Sequence, residues 1–234
     1  MENKVKILVT GTSKGIGHAI AKKFLRSGHE VVGFDVLAAP LDLRNPYLKY
    51  THYKCNVADP LQYPEINDFN VIVNNAASLD EETILDVKAK GYAEIIEKYA
   101  FTPHIKAVVN IASNSAHYGI EFPKYAAANG AVIALTKVTA RRLAKYNATC
   151  NSISPGYVNT TLDQHVRDYG LEQEILQNCQ LKHVIEPEEI AELVYYLAIK
   201  NKSMTAQDIL VDCGECIGTK FIETPENLKK FYKD

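Results

Sequence analysis

No apolar run in this 234-residue chain approaches the ~18 residues that a membrane-spanning helix needs. The opening Met1-Glu2-Asn3-Lys4-Val5 leads directly into an apolar strand rather than a secretory leader. A cytoplasmic protein with no membrane partner is expected. Neither sign of charge is in excess: 26 basic and 28 acidic side chains leave a formal net charge of -2. That gives no field to gather nucleic acid, so a small-molecule partner is expected instead. Cysteine is scarce and odd in number, with Cys55, Cys150, Cys179, Cys213 and Cys216 the full set. A chain this long needs no covalent staples, and reduced thiols are expected. Cys213 and Cys216 form a lone C-x-x-C, but no second Cys or His pair stands at zinc spacing. They read as core or turn residues, and no metal site is expected. Repeats, linkers and low-complexity segments are also missing. What remains is an ordinary globular composition, 47% hydrophobic and 23% charged, consistent with one domain over residues 1–234.

Apolar runs of strand length alternate with segments of helical period. The runs are Val5 to Val9, Glu30 to Phe34, Tyr50 to Lys54, Asn70 to Val73, Lys106 to Ile111, Thr149 to Ile153 and Asp208 to Val211. This alternation predicts an α/β fold with a doubly wound, mostly parallel seven-stranded sheet and helices on both faces. Gly15 to Ser27 sets Ile16, Ile20, Phe24 and Leu25 on one face and Lys22, Lys23 and Arg26 on the other. Gly28 supplies its stop. Further helices are expected over Glu81 to Tyr99, Tyr125 to Lys145 and Pro187 to Ile199. The last opens with proline followed by Glu188 and Glu189 at the positive end of its dipole. Asp59 to Asn70 is too short for a crossover helix with its loops.

After the first strand comes Thr10-Gly11-Thr12-Ser13-Lys14-Gly15-Ile16-Gly17, leading into the first helix. Glycines suit such a turn because backbone N–H groups and the helix N-terminus must approach a pyrophosphate without interference from Cβ atoms. A ligand-free glycine turn is the plain alternative, but strand, helix and a downstream acid are all in place. Asp35 ends the second strand about 20 residues on, where a carboxylate accepts from ribose hydroxyls and repels a 2′-phosphate. NAD is therefore expected in preference to NADP. Lys14 could pair with a 2′-phosphate, but Asp35 would repel that group at close quarters.

The glycine pattern resembles the short-chain dehydrogenase/reductase family, and further segments in the proper order carry the resemblance. Asn74-Asn75-Ala76-Ala77 is similar to the family's N-N-A-G along the cofactor. Cys55-Asn56-Val57 stands where relatives have Asp-Val at the adenine, with Asn56 keeping an amide oxygen able to accept from the adenine amino group. Asn110-Ile111-Ala112-Ser113 resembles the strand end bearing the catalytic serine, and Tyr125-Ala126-Ala127-Ala128 the start of Y-x-x-x-K. Asn151 to Thr160 follows N-x-x-x-P-G-x-x-x-T, with Pro155, Gly156, Val158 and Thr160 beside the nicotinamide. The resemblance spans nearly the whole chain and implies a single-domain Rossmann fold with alcohol–carbonyl oxidoreductase activity.

Hydride transfer to a carbonyl needs a proton donor at the developing alkoxide, and the resemblance gives that role to Tyr125. A phenol of pKa about 10 works near neutrality only beside positive charge, and relatives supply it with a lysine four residues on, on the same helix face. Here that residue is Asn129, which can hydrogen-bond a ribose hydroxyl but carries no charge. Aligning Ile84 to Gly91 with the family helix that bears a catalytic asparagine puts Lys88 at the asparagine's place. The expectation is that lysine and asparagine have exchanged positions; a solvated Lys88 on an exposed face is the alternative. An engineered inactivating change at Asn129 would give the same chain. Ser113 is expected at the substrate oxygen, with Ser115 a weaker substitute because it falls beyond the strand end. His117 and Tyr118 either line the pocket or sit in an exposed loop.

Relatives carry a mobile lid where this chain has Thr161 to Glu186. The segment includes Leu162, His165, Tyr169, Leu171, Ile175, Leu176 and Leu181 among charges, a partly apolar cover that names no substrate. A homodimer or homotetramer through the long central helices is implied, with Ala131, Val132, Leu135 and Val138 serving either interface or core. Two readings of the whole follow: an NAD-dependent dehydrogenase or reductase acting on an alcohol or carbonyl, and a catalytically silent dinucleotide-binding relative.

Overall fold

The computed structural model describes residues 4–119 and 122–217, apart from the His165 side chain; the expected lid residue His165 and residues 218–234 of the expected domain thus lie outside the description. The seven expected strands all form, within about two residues of their expected limits. They are β1 (Lys6–Thr10), β2 (Glu30–Asp35), β3 (Tyr50–Lys54), β4 (Val71–Asn74), β5 (Ala107–Ile111), β6 (Thr149–Pro155) and β7 (Asp208–Val211). They make one sheet in the order β3-β2-β1-β4-β5-β6-β7, parallel at every pairing rather than mostly so. The order reverses between β1 and β4, which opens a crevice at the carboxyl ends of the strands.

β1, β2, β4 and β5 are buried along nearly their whole length, as strands covered on both faces must be. Alternate residues serve the two layers. Ile7, Val9, Val71, Val73 and Val109 pack on Ile20 and Phe24 of α1 (Gly15–Arg26) and on Ile190 and Val194 of α7 (Pro187–Tyr195). Leu8, Val32, Ile72 and Val108 pack on Ile95, Ile96 and Tyr99 of α2 (Tyr92–Tyr99) and on Ala140 and Leu143 of α4 (Pro123–Leu143). α7 has proline at its start and a capping box between Glu186 and Glu189. Asp59 to Asn70 holds only a 3-10 turn at Pro60–Gln62, as its length requires.

Two expected helices depart from regularity, and the one read as Pro187 to Ile199 is α7 only to Tyr195 and then π-helical over Tyr196–Lys200. The stretch read as Glu81 to Tyr99 is π-helical over Leu85–Gly91 before it becomes α2. Its inward residues fall at Ile84, Lys88 and Tyr92, steps of four that suit the wider turn, and only then tighten to Ile95, Ile96 and Tyr99. α3 (Ser115–Tyr118) lies between β5 and α4, and the segment from Thr161 to Glu186 includes α5 (Gln164–Asp168) and α6 (Glu172–Asn178). Among the described residues, no helix is long and apolar enough to cross a membrane.

Candidate active site

A cavity of about 990 Å³ occupies the crevice at the β1/β4 switch point. Its volume and position are those of a cofactor plus a small substrate. The turn after β1 forms one wall. Gly11 and Gly15 hold φ of +74° and +59°, in the left-handed region that disfavours side chains. A Cβ on Gly17 would lie closer than 3.0 Å to both the Gly11 carbonyl oxygen and Asn75 Nδ2. Thr10 Oγ1 ties the ends of β1 and β4 by accepting from Asn75 N (2.9 Å) and Ala76 N (3.0 Å). Asn75 Nδ2 donates to Thr10 O at 3.0 Å. The bare backbone surface this leaves, at the start of α1, fits a diphosphate.

Asp35, only 9% exposed, lines the cavity at the end of β2. Its carboxylate accepts from Ser13 N and Leu37 N, both at 2.8 Å, which fixes its orientation and leaves lone pairs for further donors. Lys14, Gly15, Ile16, Asn56, Val57, Ala76, Ala77, Pro155, Gly156, Val158 and Thr160 line the same space. Ser13 and Gly17 do not: Ser13 Oγ donates to Ala38 O (3.0 Å), and Gly17 is packed beneath the turn. Asn56 Oδ1, expected to face the adenine, already accepts from Ala58 N at 3.0 Å.

The expected reacting residues meet at the other end. Ser113, Tyr125 and Lys88 line the cavity there. Lys88 is 2% exposed, so the solvated alternative is overturned. Its Nζ donates to Asn129 Oδ1 (2.6 Å), Ile111 O (2.9 Å) and Ala112 O (3.2 Å), and stands 5.9 Å from the Tyr125 ring centroid. Burial pulls the Lys88 ammonium down to about 7, while three oxygens matched to three protons favour the charged form. Asn129, expected at a ribose hydroxyl, does not line the cavity. It is fully buried behind Lys88, its oxygen taken by the ammonium and its Nδ2 donating to Tyr125 O at 2.9 Å. Burial raises the Tyr125 phenol above its ordinary range; hydrogen bonds with Ser113 and Asn129 work in the opposite direction.

Ser115 lines the cavity as well and is 2% exposed, although sequence position made it the weaker serine. Both serines lie past the end of β5, so that criterion does not separate them. Tyr118 faces the cavity, whereas His117 Nε2 pairs with Asp208 Oδ2 at 2.7 Å. From the segment expected to be a lid, Leu162, Val166 and Ile175 reach the cavity, while Tyr169, Leu171 and Leu181 are exposed. Cys213 and Cys216 are free, each Sγ donating to a carbonyl, of His183 and Asn114 respectively. Among the described residues, no group of three or more His, Cys, Asp or Glu could hold a metal ion. Asn114, Asp163 and Glu215 also line the cavity and were not singled out from sequence. The one available signal for Glu215 was its place just beyond the last strand, where parallel strands present ligand-facing residues.

A family model described as Enoyl-(Acyl carrier protein) reductase matches residues 11–215. The 3-oxoacyl-[acyl-carrier-protein] reductase FabG of Thermotoga maritima is 28% identical, over 92% of this chain and 98% of its own. The D-xylose 1-dehydrogenase of Caulobacter vibrioides is also 28% identical, over 89% and 94%. The aldohexose dehydrogenase of Thermoplasma acidophilum, in ligand-free form, superposes with a TM-score of 0.81 at 25% identity, over 95% of this chain and 97% of its own. With the switch-point crevice, the glycine turn and the serine–tyrosine pair already in place, these matches make the chain an oxidoreductase relative with a nicotinamide-cofactor fold: it belongs to the short-chain dehydrogenase/reductase family.

Proposed function

We propose that the chain is an NAD(H)-dependent oxidoreductase that interconverts an alcohol and a ketone or aldehyde, with Tyr125 as acid/base and Lys88 supplying the charge that relatives take from the position of Asn129. The observation that carries this reading is the Lys88 ammonium, buried between Asn129 and the Tyr125 ring. A lysine sequestered at such cost in the wall of a cavity suits a reacting site better than a silent one. When bound, the nicotinamide ring takes up or delivers the hydride. In the oxidising direction Tyr125 Oη removes the substrate hydroxyl proton; in the reducing direction it gives one to the developing alkoxide. Ser113 Oγ donates to the same oxygen. Lys88 lowers the cost of the phenolate, and Asn129 holds the Lys88 ammonium in place.

Asp35 supports NAD over NADP because its fixed carboxylate lines the cavity at the end of β2, where a dinucleotide on the glycine turn would bring its ribose. Replacement Asp35→Ala should lower the NAD-over-NADP affinity ratio on the order of 10²-fold, since hydrogen bonds to a charged group are lost and repulsion of the extra phosphate is relieved. Calorimetric titration with both dinucleotides reads this, and a wild-type chain that prefers NADP defeats it. Five free thiols suit a reducing compartment, and we assign the chain to the cytoplasm. Of the positions expected to serve interface or core, Val132 is core, with Leu135 packed against it, and Val138 is exposed on the outer face of α4, which suits a homodimer or homotetramer.

The activity itself is tested by screening alcohols and ketones with NAD(H), beside the Asn129→Lys variant. Turnover in the unaltered chain is expected. Turnover confined to the variant would instead establish a silent dinucleotide-binding protein.

A further inference from the structure

Behind the wall that carries Asp35 runs a chain of hydrogen bonds that none of the roles above uses. Tyr50 and His52 stand two residues apart on β3 and so share one face of that edge strand. Tyr50 Oη lies 2.8 Å from Thr12 Oγ1, in the glycine turn, and 2.8 Å from His52 Nδ1. His52 Nε2 lies 2.9 Å from Leu37 O. The direction of the chain follows from its last link. A carbonyl oxygen only accepts, so Nε2 carries the proton, and Nδ1 of the neutral ring accepts from the tyrosine. Tyr50 Oη in turn accepts from Thr12. Burial, with the Asp35 carboxylate adding to it, raises the Tyr50 phenol above its ordinary range, although the hydrogen bond with Thr12 works the other way. The phenol therefore keeps the proton it donates.

The sheet leaves room for these side chains. Gly33 of β2 stands opposite His52 in the strand pairing, and a Cβ on it would lie closer than 3.0 Å to both Tyr50 Oη and Thr12 Oγ1. Its φ is not positive, so space is what the position requires. At the other end of the chain is a loop with little burial of its own. Val36 and Leu37 line the cavity beside Asp35 and are 54% and 47% exposed. Leu37 is tied on both sides: its N–H donates to Asp35 Oδ1 (2.8 Å), and its carbonyl accepts from His52. Ser13 Oγ adds a tie to Ala38 O at 3.0 Å. Thr12, Tyr50 and His52 do not themselves line the cavity.

Resting on the assignment of NAD to this crevice, we propose that Tyr50 and His52 are positioning residues: with Thr12, and in the room left by Gly33, they hold Leu37 and through it the Asp35 carboxylate in place for the adenosine half of the dinucleotide. Asp35 and the loop after it meet the cofactor. The side chains behind them fix that surface before the cofactor arrives, which lowers the cost of ordering it on binding.

The test is calorimetry on the full chain with NAD and with ADP-ribose, which keeps the adenosine diphosphate and lacks the nicotinamide. His52→Leu and Tyr50→Phe should each weaken both ligands about fivefold to tenfold, the effect of losing a neutral hydrogen bond. The double variant should bind within about twofold of the weaker single variant, because residues in one network do not add. His52→Gln, whose amide can still donate to Leu37 O, should bind NAD within about threefold of the wild type. Thr51 lies between the two residues and is exposed on the opposite face of β3, so Thr51→Ala should leave both affinities unchanged. Tyr50→Phe keeps the ring that packs on the core and decides the matter if His52→Leu does not fold. Wild-type affinity for ADP-ribose in Tyr50→Phe overturns the inference alone. Additive losses in the double variant, an equal loss in Thr51→Ala, or a glutamine variant as weak as the leucine one do the same. If the unaltered chain takes up neither NAD nor ADP-ribose, the assignment of NAD to this crevice is overturned and this inference with it.

Discussion

Replacing Lys88 by Met is expected to lower kcat about 10³-fold while changing the dinucleotide affinity by less than about threefold. Met keeps the length and volume of the lysine stem, so the variant removes the ammonium and little else. The loss follows from the environment of Tyr125. Burial, reinforced by the charge of the Asp163 carboxylate, pushes the phenol away from ionisation, and its neutral partners Ser113 and Asn129 offset this only in part. Within the described wall of the cavity, Lys88 is the cation beside that ring. A structural role for Lys88 would also reduce activity if the variant unfolded, so the diagnostic measurement is the double exchange Lys88→Asn with Asn129→Lys. That chain moves the charge to the helix of Tyr125, four residues on, and should regain at least about a tenth of the lost turnover. Full activity in Lys88→Met, or none in the double exchange despite retained NAD binding, would end the proposal that the two residues have traded roles.

The same lysine should mark the pH dependence of stability. With a folded pKa near 7 against 10.5 for the ordinary side chain, the unfolded chain binds the extra proton between those values, and stability rises with pH in that window. Relative to Lys88→Met, the unfolding free energy of the wild type should be flat below about pH 7. It should then climb by up to ~1.4 kcal/mol per pH unit above it. Denaturant titrations at several pH values measure the difference directly, and a flat difference up to about pH 10 would mean that the three surrounding oxygens keep the ammonium charged throughout.

Lys88 also shows how far the sequence could be read. The strands were legible because β-branched runs such as Val71 to Val73 are buried on both faces and need no partner to be recognised. The glycine turn was legible because its spacing serves a backbone approach that few other structures need. The π-helical run Leu85–Gly91 was not, since nothing in local propensity distinguishes it from an α-helix; the wider turn is set by what packs around it. A Cβ on Gly91 would already lie within 3.0 Å of Val57 O, so the segment is held close against the loop after β3. The register that buries Lys88 is thus a tertiary fact. Asn129 was misjudged for a related reason: its helix position is that of a ribose ligand, but the lysine from the facing segment occupies its oxygen first. Glu215 reaches the cavity only through the turn built by Asp212, and no periodicity carries that information.

Replacing Gly17 by Ala should weaken dinucleotide binding at least about 10²-fold and leave the fold standing. Gly17 has no unusual backbone conformation; its constraint is space. An added methyl would overlap the Gly11 carbonyl and Asn75 Nδ2. Neither can yield cheaply: Asn75 Nδ2 is committed to Thr10 O (3.0 Å) and Gly11 O (3.3 Å), and Gly11 N donates to Phe34 O at 2.7 Å. The turn itself must move, and it is the surface that would meet the diphosphate. A contrasting variant separates this from ordinary glycine strain. Gly28 ends α1 at φ +83°, and a methyl placed there would have nothing within 4 Å. Gly28→Ala should therefore cost on the order of 1 kcal/mol of stability and leave affinity for NAD unchanged, because it strains the chain far from the cradle. Calorimetry on the two variants decides the matter. Wild-type affinity in Gly17→Ala would mean that the turn after β1 does not hold a diphosphate, and the assignment of NAD to this crevice would fall with it.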